Sequence, residues 1–316
     1  MNIRPFTDTD YATFAAIQNA ALPENPVSEA SLRHNDAQRP TIHRAGRFTV
    51  ESDGEAIGVG EYGQSLVNFD PLVFFLTAFV LPEKQGQGVG SVLYAKLERE
   101  VIVLGAQSLR ANARENRAAS VKFLQKRGFE ERMRHWKSHL DVTRFDASSF
   151  EGVTKKVRDS GITIKTFTEL KDEPDVLARL YDLTTAVVSD VPSLDPPQPI
   201  PYEKWLYFLK GPHFLPDAVF VAIDRATGAF VGFSNLFGSD AGNHLNTGLT
   251  GVLCEHRGRG IATALKLRAI DYAQSNDALE IHTSNESNNW AMLAINERLG
   301  FVKQPAEINF VKQLSA

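Results

Sequence analysis

The chain has 316 residues, more than one ordinary core accommodates, and at roughly 150 residues per domain it predicts two units. Its 34 basic and 38 acidic side chains leave a net charge of -4, so no basic field advertises binding to nucleic acid or an anionic membrane. One cysteine, Cys254, excludes an internal disulfide framework and suits a reducing compartment, so a cytoplasmic protein is expected.

The opening stretch MNIRPFTDTDY carries acidic residues and lacks the apolar core of a secretory signal, so it reads as mature sequence. From Ile3 the chain predicts a short strand, a polar turn and an amphipathic helix, followed by a hairpin over 48–63 turning at Ser52-Asp53-Gly54-Glu55. The apolar run from Pro71 to Pro82 is too short to span a bilayer, which takes about 20 residues, and predicts a buried strand. A glycine-rich loop, a helix, a strand over 108–113, a helix ending in Arg127-Gly128-Phe129 and a last strand follow.

The segment 143–161 lacks sustained apolar periodicity, and the domain boundary is placed inside it. From Ile164 the same succession begins again, with a hairpin over 218–238, a strand over 246–253, a second glycine loop and a helix ending in Leu299-Gly300-Phe301. Gln85 and Arg257 stand 172 residues apart, and so do Gly128 and Gly300. A repeat this long is a duplicated domain, not a solenoid period. The expected division is 1–150 and 160–316.

A strand that passes through glycines into a helix presents several main-chain amides at the positive end of the helix dipole, a setting that binds phosphate. Glycine keeps side chains from holding the anion away and accepts positive φ. A P-loop needs GxxxxGK followed by Ser or Thr, which neither loop supplies. The dinucleotide fingerprint GxGxxG fits neither Gly86-Gln87-Gly88-Val89-Gly90-Ser91 nor Gly258-Arg259-Gly260-Ile261-Ala262-Thr263. With one cysteine and histidines read as forming no ligand spacing, no metal centre is expected.

In these loops the chain resembles the GNAT superfamily of acyl-CoA-dependent N-acyltransferases, whose fingerprint is Arg or Gln, two residues, Gly, one residue, then Gly or Ala. Gln85, Gly88 and Gly90 match it in the first half, and Arg257, Gly260 and Ala262 in the second. The resemblance covers nearly the whole chain, twice. It implies two tandem α/β domains of α+β type, each a mixed, mostly antiparallel twisted sheet with helices on both faces.

It further implies acetyl-CoA as cofactor, bound by Gln85, Gly86, Gln87, Gly88, Val89, Gly90 and Ser91, and by Arg257, Gly258, Arg259, Gly260, Ile261, Ala262 and Thr263. Val80 and Val252 stand at the strand ends that pair with pantetheine in the family, and Asn289 is expected on the pantetheine arm. The family often places a tyrosine proton donor four residues before the glycine of the GF ending. Here those positions are Leu124 and Asn296, so Asn296 is the candidate contact to sulfur. Glu61 on the first hairpin is a candidate base, or it faces solvent.

The proline-rich stretch 189–205, with Asp190, Asp195, Tyr202, Glu203 and Trp205, is expected either to form a lid for a small cationic amine or to be a rigid surface connection. Because Arg257 and Arg259 replace Gln85 and Gln87, the second loop is expected to hold CoA phosphates more tightly. Tandem acyltransferases of the mycothiol synthase type, similar in architecture, place the chemistry in the carboxy-terminal domain. The resulting expectation is an N-acetyltransferase acting there on a small-molecule amine, with no nucleic-acid or membrane partner. The alternative is a non-catalytic acyl-CoA binding or sensing protein.

Overall fold

The computed structural model describes residues 1–65, 69–194, 200–240 and 243–314. The first half runs β1 (Asn2–Pro5), α1 (Tyr11–Ala21), α2 (Glu29–Ala37), β2 (Gly46–Ser52), β3 (Glu55–Gly63), β4 (Val73–Val80), α3 (Val89–Val103), β5 (Ser108–Arg114), α4 (Ala118–Gln125) and β6 (Glu130–Asp141). The second runs α5 (Glu151–Asp159), β7 (Ile162–Thr166), α6 (Phe167–Leu170), α7 (Val176–Ser189), α8 (Tyr202–Phe208), β8 (Phe214–Asp224) and β9 (Phe230–Phe237). It continues through β10 (His244–Val252), α9 (Ile261–Ser275), β11 (Glu280–Glu286), α10 (Trp290–Arg298), β12 (Val302–Lys303) and β13 (Glu307–Gln313).

Two compact units form, and their boundaries do not fall near residue 150. Unit one is Met1–Arg134 together with the chain from Ala306, and unit two is His135–Pro305. The last strands have changed places. In unit one β13 pairs antiparallel with β5 from Glu307↔Arg114 to Gln313↔Ser108. In unit two β6 pairs antiparallel with β11 from Glu280↔Asp141 to Glu286↔His135. The serial division into 1–150 and 160–316 misses this because an alternating strand carries no mark of which free sheet edge it will fill.

The strand order in unit one is β1-β2-β3-β4-β5-β13, and in unit two β7-β8-β9-β10-β11-β6 with β12 also beside β6. Neighbours are antiparallel except for β4–β5 and β10–β11, as the expected fold class requires. The β2–β3 hairpin turns at Asp53 and Gly54, whose φ values of 56° and 84° are those a two-residue primed turn imposes. On one face of unit one, Val89, Leu93, Leu97 and Val101 of α3 recur every four residues and bury against Phe74, Leu76 and Leu109. On the other face, Phe14 of α1 packs against Val59 and Phe79.

Unit two repeats this arrangement with an addition. Ile261, Ala264, Leu265 and Ala269 of α9 bury against Phe220, Val231 and Ile281, and α7 covers the opposite face with Leu180, Leu183 and Val187. The α9 face also takes Phe150, Val153 and Val157 from the segment that the sequence reading left as a boundary. Their spacing of three and four is that of a short amphipathic helix, α5.

Candidate active site

Each unit has one place where its sheet comes apart. β4 pairs with β5 only from Val73↔Ser108 to Phe75↔Arg110, after which the parallel strands separate. β10 and β11 separate likewise after Asn246↔His282. The Leu81 amide bonds to Ile57 O on β3, so by strand alternation the main-chain groups of Ala78 and Val80 face the gap. Each gap therefore offers an unpaired strand edge that leads to a glycine loop.

The first loop is open. Gly86 and Gly88 have φ of 76° and 91°, and a side chain at either would meet nothing within 4 Å. Gly86, Gln87, Gly88 and Ser91 are exposed. Among the described residues, the amides of Gly86, Gln87, Gly88, Val89 and Gly90 have no main-chain partner. They converge at the start of a 15-residue helix, α3, which is the donor set a diphosphate needs. Gln85 Nε2 donates to Val80 O at 3.1 Å, fixing the loop to the strand end.

A cation stands beside that turn. Arg127 donates from Nη2 to Ser91 Oγ at 2.8 Å, and its guanidinium lies 3.4 Å from the centroid of Phe123. The sequence reading did not single out Arg127, although its position beside the Gly-Phe helix ending was a signal. The corresponding residue in unit two, 172 places on, is Leu299, which is buried.

The second loop keeps the backbone and stays open at Gly258, but it is covered at Gly260. Gly258 and Gly260 have φ of 74° and 83°. A side chain built on Gly260 would meet Val153 Cγ1 at 3.3 Å and Val157 Cγ2 at 3.5 Å, so α5 lies over the turn. Thr263 is 7% exposed, whereas its counterpart Ser91 is exposed. Both added cations are engaged by protein groups. Arg257 donates from Nε to Val252 O at 3.0 Å and from Nη2 to Asp190. Arg259 donates to Ser160 O at 2.7 Å and lies 3.0 Å from His256 Nδ1. Extra charge in the sequence has thus become internal pairing, which offsets the tighter grip expected from the two arginines.

The remaining predicted residues are distributed as follows. Asn296 is 2% exposed beside the second gap, donating from Nδ2 to Asn285 Oδ1 at 2.6 Å, and its Oδ1 is buried without a partner. Leu124 is a core residue. Asn289 caps α10, accepting from the Met292 amide at 3.3 Å, so its side-chain oxygen serves the helix. Asp190 lies at the second loop through its ion pair with Arg257.

Tyr202 and Trp205 stack at 6.0 Å, with Tyr181 edge-on to both at 5.2 and 5.8 Å. Residue 195 and the prolines next to it lie outside the described residues. Glu61, opposite Thr77 of β4, accepts from Arg47 Nε at 2.8 Å. Arg47 is 10% exposed in its side chain and also pairs with Asp36. Burial works against its charge, but Glu61 and Asp36 more than offset this and hold the guanidinium above its ordinary range.

Two sheets that open toward glycine turns define a transferase fold built twice, and the comparisons agree. The acetyltransferase (GNAT) family matches residues 14–129 and again 180–301, and the chain belongs to that family. It is a tandem GNAT acetyltransferase. It is similar to N-alpha-acetyltransferase 30 of Schizosaccharomyces pombe, 34% identical over 113 residues that make up 33% of this chain and 69% of that protein.

Among solved structures it is similar in fold to a tandem GNAT protein from the clavulanic acid biosynthesis pathway, with a TM-score of 0.77 and 17% identity over 100% of this chain and 99% of that one. A GCN5-related N-acetyltransferase from Sphaerobacter thermophilus gives 0.73 and 18% over 99% and 95%. Among the described residues, no helix is long and apolar enough to cross a membrane.

Proposed function

We propose that the protein is an acetyl-CoA-dependent N-acetyltransferase acting on the amine of a small molecule, and that the cofactor is held by unit one. One observation carries the choice of unit: Gly88 looks into open space, while its counterpart Gly260 sits under Val153 and Val157, although Gly86 and Gly258 are equally open. The carboxy-terminal location expected from the more basic loop is not the one the geometry favours.

The donor set of the first loop fits the group. The amides of Gly86 to Gly90 take the diphosphate, Arg127 adds a positive charge beside Ser91, and the pantetheine arm runs along the free edge of β4. When bound, acetyl-CoA supplies an acyl group activated as a thioester. Ala78 and Val80 turn their amides toward the gap, where they are the donors available to a thioester carbonyl. Leu124 gives no proton, and none is obligatory, because a thiol of pKa about 8.5 leaves readily as thiolate near neutral pH. Glu61 is engaged by Arg47, so an incoming ammonium has to compete with a guanidinium for it. Water is therefore the simpler proton acceptor in this reading.

Release of free thiol from acetyl-CoA, measured over a panel of small amines and short peptides with free amino termini, tests the reading. Turnover with a small amine that Ser91→Glu abolishes supports it. Turnover with peptides alone moves the acceptor to polypeptide amino termini, the class that the name of the yeast relative indicates. Tight binding of acetyl-CoA without turnover across the panel favours the non-catalytic binding or sensing alternative.

A further inference from the structure

On the sheet face of unit two opposite α9, three ring side chains and a carboxylate are gathered from strands far apart in sequence. His139 on β6 is directly opposite His282 on β11, and Glu280, two residues before His282, is directly opposite His244 on β10. The alternate residues Leu140 and Ile281 point into the α9 core, so these four lie on the other face. The His139 and His282 rings stack at 3.6 Å and 6°, and the His244 and His282 rings at 3.8 Å and 16°. Glu280 Oε2 is 2.6 Å from His282 Nε2 and 3.8 Å from His139 Nδ1.

The side chains are only partly buried, and ring stacking with the Glu280–His282 hydrogen bond holds the set together. Its chemistry is that of a metal ligand set: two imidazole nitrogens and a carboxylate whose ligand atoms lie within 4.8 Å of one another. Tetrahedral zinc, with bonds of about 2.0–2.2 Å, spaces its ligand atoms by roughly 3.4 Å, so small side-chain rotations are enough to close the set. An i,i+2 pair on one strand with a directly opposed residue on its neighbour puts three donors around one point without backbone movement.

We propose that His139, Glu280 and His282 form a site for a divalent transition ion of the zinc class, with the fourth position left to water or to His244. The His139 and His282 rings part on binding, because a nitrogen donates in the plane of its ring and stacked rings cannot both aim at one ion. His244 has its Nδ1 3.1 Å from Asn243 Oδ1, which leaves Nε2 as its ligating atom. The nitrogen and oxygen donors select zinc, cobalt or nickel over magnesium or calcium, which take oxygen. The sequence reading missed the set. His135 and His139 do stand four apart, a helical ligand spacing, but on strand β6 they are about 13 Å apart. The partners of His139 come from more than 130 residues away.

The test uses full-length protein stripped with a chelator and titrated with zinc alone in a calorimeter, and with cobalt in a spectrophotometer. One zinc per chain, the visible absorption of four-coordinate cobalt, and affinity at least tenfold weaker in His139→Gln, Glu280→Gln and His282→Gln support the proposal. Glu280 is 44% exposed, so Glu280→Gln tests the site even if a histidine variant fails to fold. Absence of stoichiometric zinc binding, or equal affinity in folded Glu280→Gln and the parent protein, overturns it.

Discussion

Arg259 donates from Nη2 to the main-chain oxygen of Ser160 at 2.7 Å, tying a residue of the second glycine loop to the chain just past α5. Its counterpart in the first loop, Gln87, donates from Nε2 to Glu83 O at 2.9 Å, within the loop itself. The charge of Arg259 therefore serves the fold. Arg259→Ala is expected to cost about 1–2 kcal/mol of stability, as loss of a charged hydrogen bond does, and to leave acetyl-CoA affinity within twofold. Urea unfolding and calorimetry on the same preparation check both parts.

Val157 is 3% exposed and packs over Gly260 and Ile261. Val157→Ala removes two methyl groups from that contact, and the expected loss is about 1–3 kcal/mol. An unchanged unfolding midpoint in urea would show that α5 does not bear on the loop.

Arg47 lies half-buried between Asp36 and Glu61, and Tyr11 Oη donates to Asp36 at 2.6 Å. Arg47→Met leaves Glu61 without its cation and Asp36 with Arg39 alone, and because both carboxylates are partly exposed the expected cost is about 1–3 kcal/mol, below that of a fully buried pair. Removing Glu61 alone is expected to cost less, because Asp36 still pairs with Arg47. The two midpoints compared side by side report which residue anchors the network.

Lys266 of α9 is 3% exposed, with its ammonium 5.0 Å from the centroid of Phe301. Burial pulls its pKa down from 10.5 to about 8. The folded protein thus binds this proton more weakly than the unfolded chain. The cost is fully present below pH 8 and is relieved as pH rises from about 8 toward 10.5, so this group makes stability increase over that window. At roughly 1.4 kcal/mol per pH unit the neutral-pH cost is about 3 kcal/mol, and Lys266→Met is expected to recover a large part of it. A variant less stable than the parent at pH 7 contradicts this.

What the sequence disclosed was local. The Asp53-Gly54 turn, the four-residue spacing along α3 and the glycines before both helices each encode their geometry within a few neighbours. The repeat marks that align Gln85 with Arg257 established the duplication. What stayed hidden depends on contacts between distant segments. The exchange of β6 and β13 depends on which sheet edge is free. Arg257 looked like a phosphate ligand until Asp190 appeared beside it. The segment holding Phe150, Val153 and Val157 is short enough that its periodicity passed for a linker. The histidine cluster likewise needed three strands to be brought together.

Calorimetric titration of acetyl-CoA into the parent protein, Ser91→Glu and Arg257→Glu measures most directly which turn holds the cofactor. The account predicts one site per chain, weakened at least tenfold when a carboxylate is placed at the start of α3 and little changed by charge reversal at Arg257. Binding that survives Ser91→Glu and is lost in Arg257→Glu would contradict it.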